Sequence, residues 1–359
     1  MRKFLLLLLT MLTIALPACA DVLGVPTEPG AVNIDLTSLK EVKNNQTNAL
    51  IADLQAIEGL QSVNLRGVYT TDKQKAALVE ALPGVDFQWV IKLNGVEIDS
   101  ALTTLDLDTL VKSSTKLADI RQALNCLPNV ERVIMYKFVN SQANMEKLLA
   151  DYPHIHFDWS IHWRICDGRV VDLRTDATCF STLKGRQEPR YTADMLMERL
   201  KYCPDLLGID AGHNNVSDLS FLLNWPNLKY LIIIDSKKPV TDLSPLAQLP
   251  DLEYIELFMQ DITDLTPLAN HTKLKDLNLC HNNITDLSPL YSCTALERLH
   301  ISYNPGLTAE EVAKLQAVLP NCVIETETYQ STGAGWREHE RYFVIQKSFE
   351  TYNYIPFAE

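Results

Sequence analysis

An α/β fold is expected: a repeat solenoid with a parallel sheet on its concave face, preceded by looser α/β units with β-hairpins. Three observations predict it. The C-terminal half repeats an apolar pattern every 22 residues, a weaker period of about seventy residues runs upstream, and two alternating runs end at Asn94-Gly95 and Asp167-Gly168.

The short repeat is read by laying one turn on the next. Leu252-x-x-Ile255-x-Leu257-x-x-Gln260-x-Ile262-x-Asp264-Leu265-Thr266-Pro267-Leu268 recurs as Leu274-x-x-Leu277-x-Leu279-x-x-Asn282-x-Ile284-x-Asp286-Leu287-Ser288-Pro289-Leu290. The same frame starts at Leu206 and at Leu296, and at Leu228 it carries two extra residues around Lys237-Lys238. Alternation along each short strand sends the leucines inward and the residues between them outward. Ser244-Pro245, Thr266-Pro267 and Ser288-Pro289 read as a cap followed by the first turn of a short helix.

This pattern resembles the leucine-rich-repeat family, in particular its bacterial internalin-like subclass with a D-L-S-P-L ending, over residues 206–323. The resemblance implies that Asn214, Asn282 and Asn304 form a buried ladder against backbone groups of adjacent turns. Ser236 and Gln260 are expected to interrupt it.

Upstream, residues 31–205 read as degenerate units of the same kind. Ile34-Asp35-Leu36, Leu105-Asp106-Leu107 and Val171-Asp172-Leu173 align as strands, as do the segments at Val63, Val133 and Ile209. A third register aligns Val85-x-Phe87-x-Trp89 with Ile155-x-Phe157-x-Trp159 and faintly with Cys322-Val323, each after a helical stretch: 72–81, 143–151 and 309–318. The alternating run 85–93 turns at Asn94-Gly95, and the run 155–165 turns at Asp167-Gly168. Residues 324–359 contain a loop at 331–335 and a helix over 341–349. Their G-W-R-x-H-x-R-Y-F wording resembles the closing segment of exported leucine-rich-repeat proteins of Gram-positive bacteria, and a cap over the open end of the solenoid is expected.

The N-terminus has the order of an export signal: Arg2 and Lys3, an apolar run through Leu16, then small residues. That run is too short for a permanent membrane span. Residues 1–18 read as a signal peptide and 19–30 as a tether, with two cleavage readings. Leu16-Pro17-Ala18-Cys19 resembles a lipobox, making Cys19 a lipidated first residue, whereas Ala18-Cys19-Ala20 is an A-x-A site releasing a soluble chain from Asp21. An extracytoplasmic, lipid-anchored protein is expected, with secretion as the alternative. Its contact with membrane would be through the anchor only.

Charge and cysteines narrow the field further. The net charge is -13, and -15 without residues 1–18, which argues against nucleic acid and anionic lipid because both need Lys and Arg to neutralise phosphates. Cys126, Cys166, Cys179, Cys203, Cys280, Cys293 and Cys322 show no C-x-x-C and are odd in number, so most read as small buried hydrophobes. Cys166 with Cys179, and Cys126 with Cys203, are the pairs to check.

Motifs for nucleophile elbows, phosphate loops and zinc-protease helices are absent, so no catalytic residue and no cofactor is assigned. The sequons at Asn45, Asn270 and Asn283 carry little meaning if, as the export signal suggests, the source is bacterial. His154, His156 and Asp158 share one strand face with His162, and the first three form a weak metal candidate. The bland alternative is a solvated face opposite the Phe157-Trp159-Ile161-Trp163 ridge.

The main candidate site is the concave face, with Tyr230, Ile232, Ile234, Tyr254, Glu256, Phe258, Asp276, Asn278, Arg298, His300 and Ser302 pointing outward. An exposed patch of this kind marks a partner site. The competing reading covers it from within, by a hairpin or by Tyr352, Tyr354 and Phe357. The expected function is recognition of a protein or glycan ligand. A hydrolase or metal site in the N-terminal units, or a purely structural envelope role, stands as the alternative.

Overall fold

The structure, a computed structural model, describes residues 21–164, 170–182 and 190–358. The expected signal peptide 1–18, Cys19, Ile165, Cys166 and the Asp167-Gly168 turn lie outside the described residues. The chain divides into two compact units between Asp158 and Trp159.

The first unit opens with an antiparallel pair, β1 (Asp21–Val22) and β2 (Val25–Pro26). Next, β3 (Asn33–Asp35), β4 (Ser62–Asn64) and β5 (Asp86–Gln88) form a parallel sheet in that order, joined through α1 (Thr47–Gln55) and α2 (Asp72–Ala81). Helix α2 has the bounds expected of it, because Thr71 and Gln74 satisfy each other's backbone N–H groups at its start. The alternating run 85–93 splits at Trp89. Before the split β5 pairs parallel with β4, and after it β6 (Val90–Leu93) turns at Asn94-Gly95 into antiparallel β7 (Val96–Asp99). Trp89 is pinned at the switch: its backbone N–H donates to Ser100 Oγ (2.9 Å) and its indole to the Cys126 carbonyl (2.7 Å).

A second α/β unit follows. Strand β8 (Thr104–Asp106) pairs parallel with β9 (Arg132–Met135) across α3 (Leu117–Leu124), and α4 (Gln142–Asp151) leads to β10 (His156–Arg164), which runs across the division. The later part of β10 pairs antiparallel with β11 (Val170–Arg174), from Ser160↔Arg174 to Arg164↔Val170.

The second unit is built on a seven-stranded parallel sheet, β12 (Cys179–Ser181), β13 (Gly208–Asp210), β14 (Tyr230–Ile232), β15 (Tyr254–Glu256), β16 (Asp276–Asn278), β17 (Arg298–His300) and β18 (Val323–Glu325), in chain order. The sheet begins one strand before the Leu206 turn, because Cys179-Phe180-Ser181 adds a strand without the leucine wording. Inward residues such as Leu231, Ile255, Leu277, Leu279 and Leu299 are at most 1% exposed, so the alternation fixes one buried face. Helices α5 (Ala193–Leu200) and α6 (Ala309–Val318) flank the repeats and α7 (Glu340–Thr351) follows them. Among the described residues no helix is long and apolar enough to cross a membrane.

Two details of the repeats differ from expectation. The connections 220–224, 244–248, 266–268 and 288–292 are 3-10 turns, and Ser244, Thr266 and Ser288 are not their caps. That role passes to the preceding acid: Asp218, Asp242, Asp264 and Asp286 each accept the backbone N–H two residues on, at 2.8 Å. The ladder is also more complete than expected. Asn214, Asn282 and Asn304 each accept a backbone N–H of the preceding turn at 3.0 Å and donate to carbonyls of their own strand end. Gln260 continues it with a longer arm, accepting from Val240 N (2.8 Å) and donating to Ile233 O (3.1 Å). Ser236 is too short to do so, and its buried hydroxyl has no hydrogen-bond partner among the described residues.

Candidate ligand-binding surface

The outward residues of β14 to β17 are not exposed. Tyr230, Tyr254, Glu256, Asp276 and Asn278 are 0% exposed, and Ile232, Ile234, Phe258 and His300 are at most 5%. Arg298 is half-buried, its side chain 12% exposed. The expectation of an open concave patch is therefore corrected, and the covering is internal. Tyr230, Ile232, Ile234, Tyr254, Phe258 and Cys280 pack into one apolar cluster with Trp336, Ile345, Phe349 and Phe357 of the C-terminal segment. The physical reason is area: a row of Tyr, Ile and Phe side chains on one sheet face is stabilised by removal from water, and the chain's own aromatics supply the cover. The C-terminal segment thus lies over the sheet face and not over the end of the solenoid as expected.

Polar contacts fix the register of this cover. Trp336 donates its indole N–H to Glu256 (2.8 Å), Arg337 pairs with the other Glu256 oxygen (2.7 Å), and the Tyr254 hydroxyl also donates to Glu256. Arg341 grips Asp276 with two donors (2.7 and 2.9 Å) and reaches Glu297 (2.6 Å), while Arg298 donates to Asp276 from the sheet side (2.7 Å). Both sheet carboxylates are fully buried, so each depends on these cations. Burial, and then the adjacent Glu256 charge, hold the Tyr254 phenol well above its ordinary value. Further along, the Tyr230 hydroxyl donates to the Ile355 carbonyl (2.7 Å), Asn278 donates to the Ser331 carbonyl (2.7 Å), and the Tyr352 carbonyl accepts from the Cys179 N–H (3.1 Å).

The histidine candidate in the N-terminal half resolves into an ion-pair arrangement. Asp158 is 1% exposed and accepts from Arg132 Nε (2.5 Å), with His156 Nε2 on its other oxygen (3.1 Å). His154 instead borders the Tyr152 ring (6.5 Å), and His162 pairs with Asp172 (2.5 Å). This face is solvated at His154 and His156, as the bland reading expects, but closes at Asp158 and Ser160 of β10, which are buried. Among the described residues no three His, Cys, Asp or Glu side chains are placed to hold a metal. Cys126, Cys179, Cys203, Cys280, Cys293 and Cys322 are buried free thiols, as small hydrophobes would be, and the Cys126–Cys203 pairing is not formed.

One feature of the second unit had no place in the sequence reading. His213, Asp235, Met259, His281 and Tyr303 all have φ between 45° and 58°, in the left-handed region that non-glycine residues rarely occupy. Each directly precedes a ladder position, and the first four donate their backbone N–H to the next turn: His213 to Ile234, Asp235 to Phe258, Met259 to Cys280 and His281 to Ser302. That bond to the following turn holds the strained conformation in place at these four positions. The outcome is a row of side chains at ladder spacing, about 4.8 Å apart, along one edge of the sheet. His213 Nδ1 lies 3.0 Å from Asp235, and the His281 and Tyr303 rings stack at 4.6 Å. Tyr329 stands edge-on to both rings, at 6.0 and 5.3 Å, with His281 Nε2 3.0 Å from its carbonyl. Met259 and Tyr303 remain 47% exposed and Tyr329 72%. The signal was present in sequence as the residue before each ladder asparagine, but no periodicity marks a positive φ.

Comparison with known proteins follows the same lines. Residues 272–314 match a family model described as Leucine Rich repeats (2 copies). A comparison with curated proteins gives no match. Among solved structures, the chain is similar to internalin C2 of Listeria monocytogenes at 22% identity, over 44% of this chain and 76% of that one, with a TM-score of 0.30. A second Listeria monocytogenes internalin aligns at 14% identity over 83% and 85% of the two chains, TM-score 0.31. A leucine-rich-repeat protein of Leptospira interrogans aligns at 18% over 80% and 75%, TM-score 0.32. Superpositions this loose add no argument about function. The seven parallel strands in register, the 22-residue frame and the match over residues 272–314 give the second unit a leucine-rich-repeat fold.

Proposed function

We propose that the chain is an exported recognition protein, anchored to the membrane through a lipidated Cys19, whose leucine-rich unit holds its ligand on the exposed edge of the sheet and catalyses no reaction. The edge row carries the reading: Met259, Tyr303 and Tyr329 stay exposed on a rigid backbone, while the apolar concave face is closed by the chain itself. Side chains held by stacked turns lose little freedom on association, which favours binding. Ligand contact through Tyr230, Ile232, Ile234, Tyr254, Glu256, Phe258, Asp276, Asn278, Arg298 and His300 would first require the C-terminal segment to leave.

The test uses purified mature protein added to envelope preparations of the producing bacterium. Binding lost in Tyr303→Gly and Met259→Gln, but kept in Tyr69→Ser on an exposed site of the first unit, is the expected result. Equal binding by all variants would remove the edge from consideration. Expressed with its own signal, the protein should partition with membranes, and recovery of a soluble chain starting at Asp21 would contradict the anchor.

A further inference from the structure

We infer that the His281–Tyr303–Tyr329 platform at the C-terminal end of the edge is a saccharide-binding site that takes a neutral pyranose ring; this rests on the edge reading above and names its ligand class. The His281 and Tyr303 rings lie face to face, their planes 13° apart, so each covers one face of the other and the half-exposed Tyr303 ring offers the aromatic surface, with Tyr329 edge-on to both. Beside His281 and Tyr303, which line it, opens a shallow cavity of about 600 Å³, within the range of small-ligand sites. Its lining is unlike an apolar protein-docking groove. Asp261, Asn283 and Glu327 border it, all exposed, and none of their side chains forms a hydrogen bond or ion pair to the described residues.

That combination matches the chemistry of a sugar. A pyranose presents an apolar face of C–H groups, which a flat aromatic surface covers, and a rim of hydroxyls, which carboxylates and amides bind in pairs. Free carboxylates at 261 and 327 accept hydroxyl protons and repel a carboxylated sugar, so neutral sugars are favoured over uronic acids. The backbone supports the same assignment. Tyr303 sits at φ 57° and His281 at φ 51°, the left-handed conformation that every turn adopts just before its ladder position, so both rings are carried at a fixed point of the repeat.

The experiment is calorimetric titration of the mature protein with two neutral trisaccharides, chitotriose and cellotriose, and with trigalacturonate as the anionic counterpart. Saturable binding of at least one neutral trisaccharide is expected, weakened at least tenfold by Tyr303→Gly and by Asn283→Ala, with no saturable binding of trigalacturonate. Tyr303→Gly suits the test because glycine accepts the left-handed φ, so the fold is kept. Absence of saturable binding by both neutral sugars up to about 10 mM overturns the inference. So does unchanged affinity in Tyr303→Gly. If both sugars fail while the edge variants still lose envelope binding, the edge stands and the saccharide class falls. If the sugar binds and depends on Tyr303 while envelope binding ignores the edge, the saccharide site stands and the wider edge reading falls.

Discussion

Replacing Trp336 by alanine tests the internal cover at its centre. The side chain is 5% exposed, lies 6.0 Å from both the Tyr254 and His300 ring centroids, and stacks beneath the Arg298 guanidinium at 4.3 Å. Removing a buried Trp costs about 3–5 kcal/mol through lost burial and the cavity left behind. The change also strips a 2.8 Å donor from the fully buried Glu256 carboxylate, and a hydrogen bond to a charged group contributes about 1.5–3 kcal/mol. These overlap, so a loss of about 4–6 kcal/mol is expected, a large fraction of the roughly 5–15 kcal/mol typical of a domain. Urea unfolding followed by circular dichroism measures it, with Phe343→Ala as control. Phe343, on α7 of the same C-terminal segment, is 56% exposed, and its loss should change stability by less than about 0.5 kcal/mol. A Trp336→Ala loss below about 1 kcal/mol, or one equal to that of Phe343→Ala, would mean that the segment does not seal the sheet.

Other expectations follow from the same structure. Leu279→Ala, at 0% exposure beneath the ladder, should cost about 2–5 kcal/mol, whereas exposed Asn283→Ala should cost less than about 0.5 kcal/mol; equal midpoints would invert the inside-outside assignment. Burial holds the His271 and His300 imidazoles below the ordinary histidine value. The unfolded chain therefore takes up protons at about pH 6.5 before the folded one does, so stability should fall as pH drops from 6.5 through the folded values and be full above that window. A urea midpoint that is flat or rises on acidification from pH 7.5 to 5.5 would contradict this, and His271→Gln should reduce the slope. Burial also pushes the Cys126, Cys179, Cys203 and Cys322 thiols up to about 12, and Cys280 and Cys293 to about 11. Iodoacetamide at pH 8 should leave all six unmodified until denaturant is added, as peptide mass mapping would show.

The regular parts of the fold were legible because they rest on period and local chemistry. The L-x-x-L-x-L frame places β13 to β17, the helical stretch 72–81 coincides with α2, and Asn94-Gly95 turns β6 into β7. What could not be read depends on distance along the chain. Tyr254 and Trp336 are 82 residues apart, and alternation says only that Tyr254 leaves the leucine core, not whether water or another segment meets it. Both outcomes were open for the concave face, and the aromatics Tyr354 and Phe357 named as possible cover do take part, but Trp336, Arg337 and Arg341 carry its polar anchoring. The run 85–93 misled for a related reason, since period fixes which face a residue occupies but not which partner strand it joins. The edge row escaped because a left-handed φ at Met259 or His281 runs against residue preference, and the hydrogen bond to the next turn, which alternation does not reveal, accompanies it.

The central claim, that the concave sheet face is closed by the chain's own C-terminal segment, is tested most directly by native-state amide hydrogen exchange across residues 340–351. Helix α7 is predicted to exchange only with global unfolding, at the same free energy as the strand amides of β14 and β15 beneath it. Exchange of α7 several kcal/mol below the global value, with those strands still protected, would show a segment that detaches on its own and leaves the concave face open to a ligand.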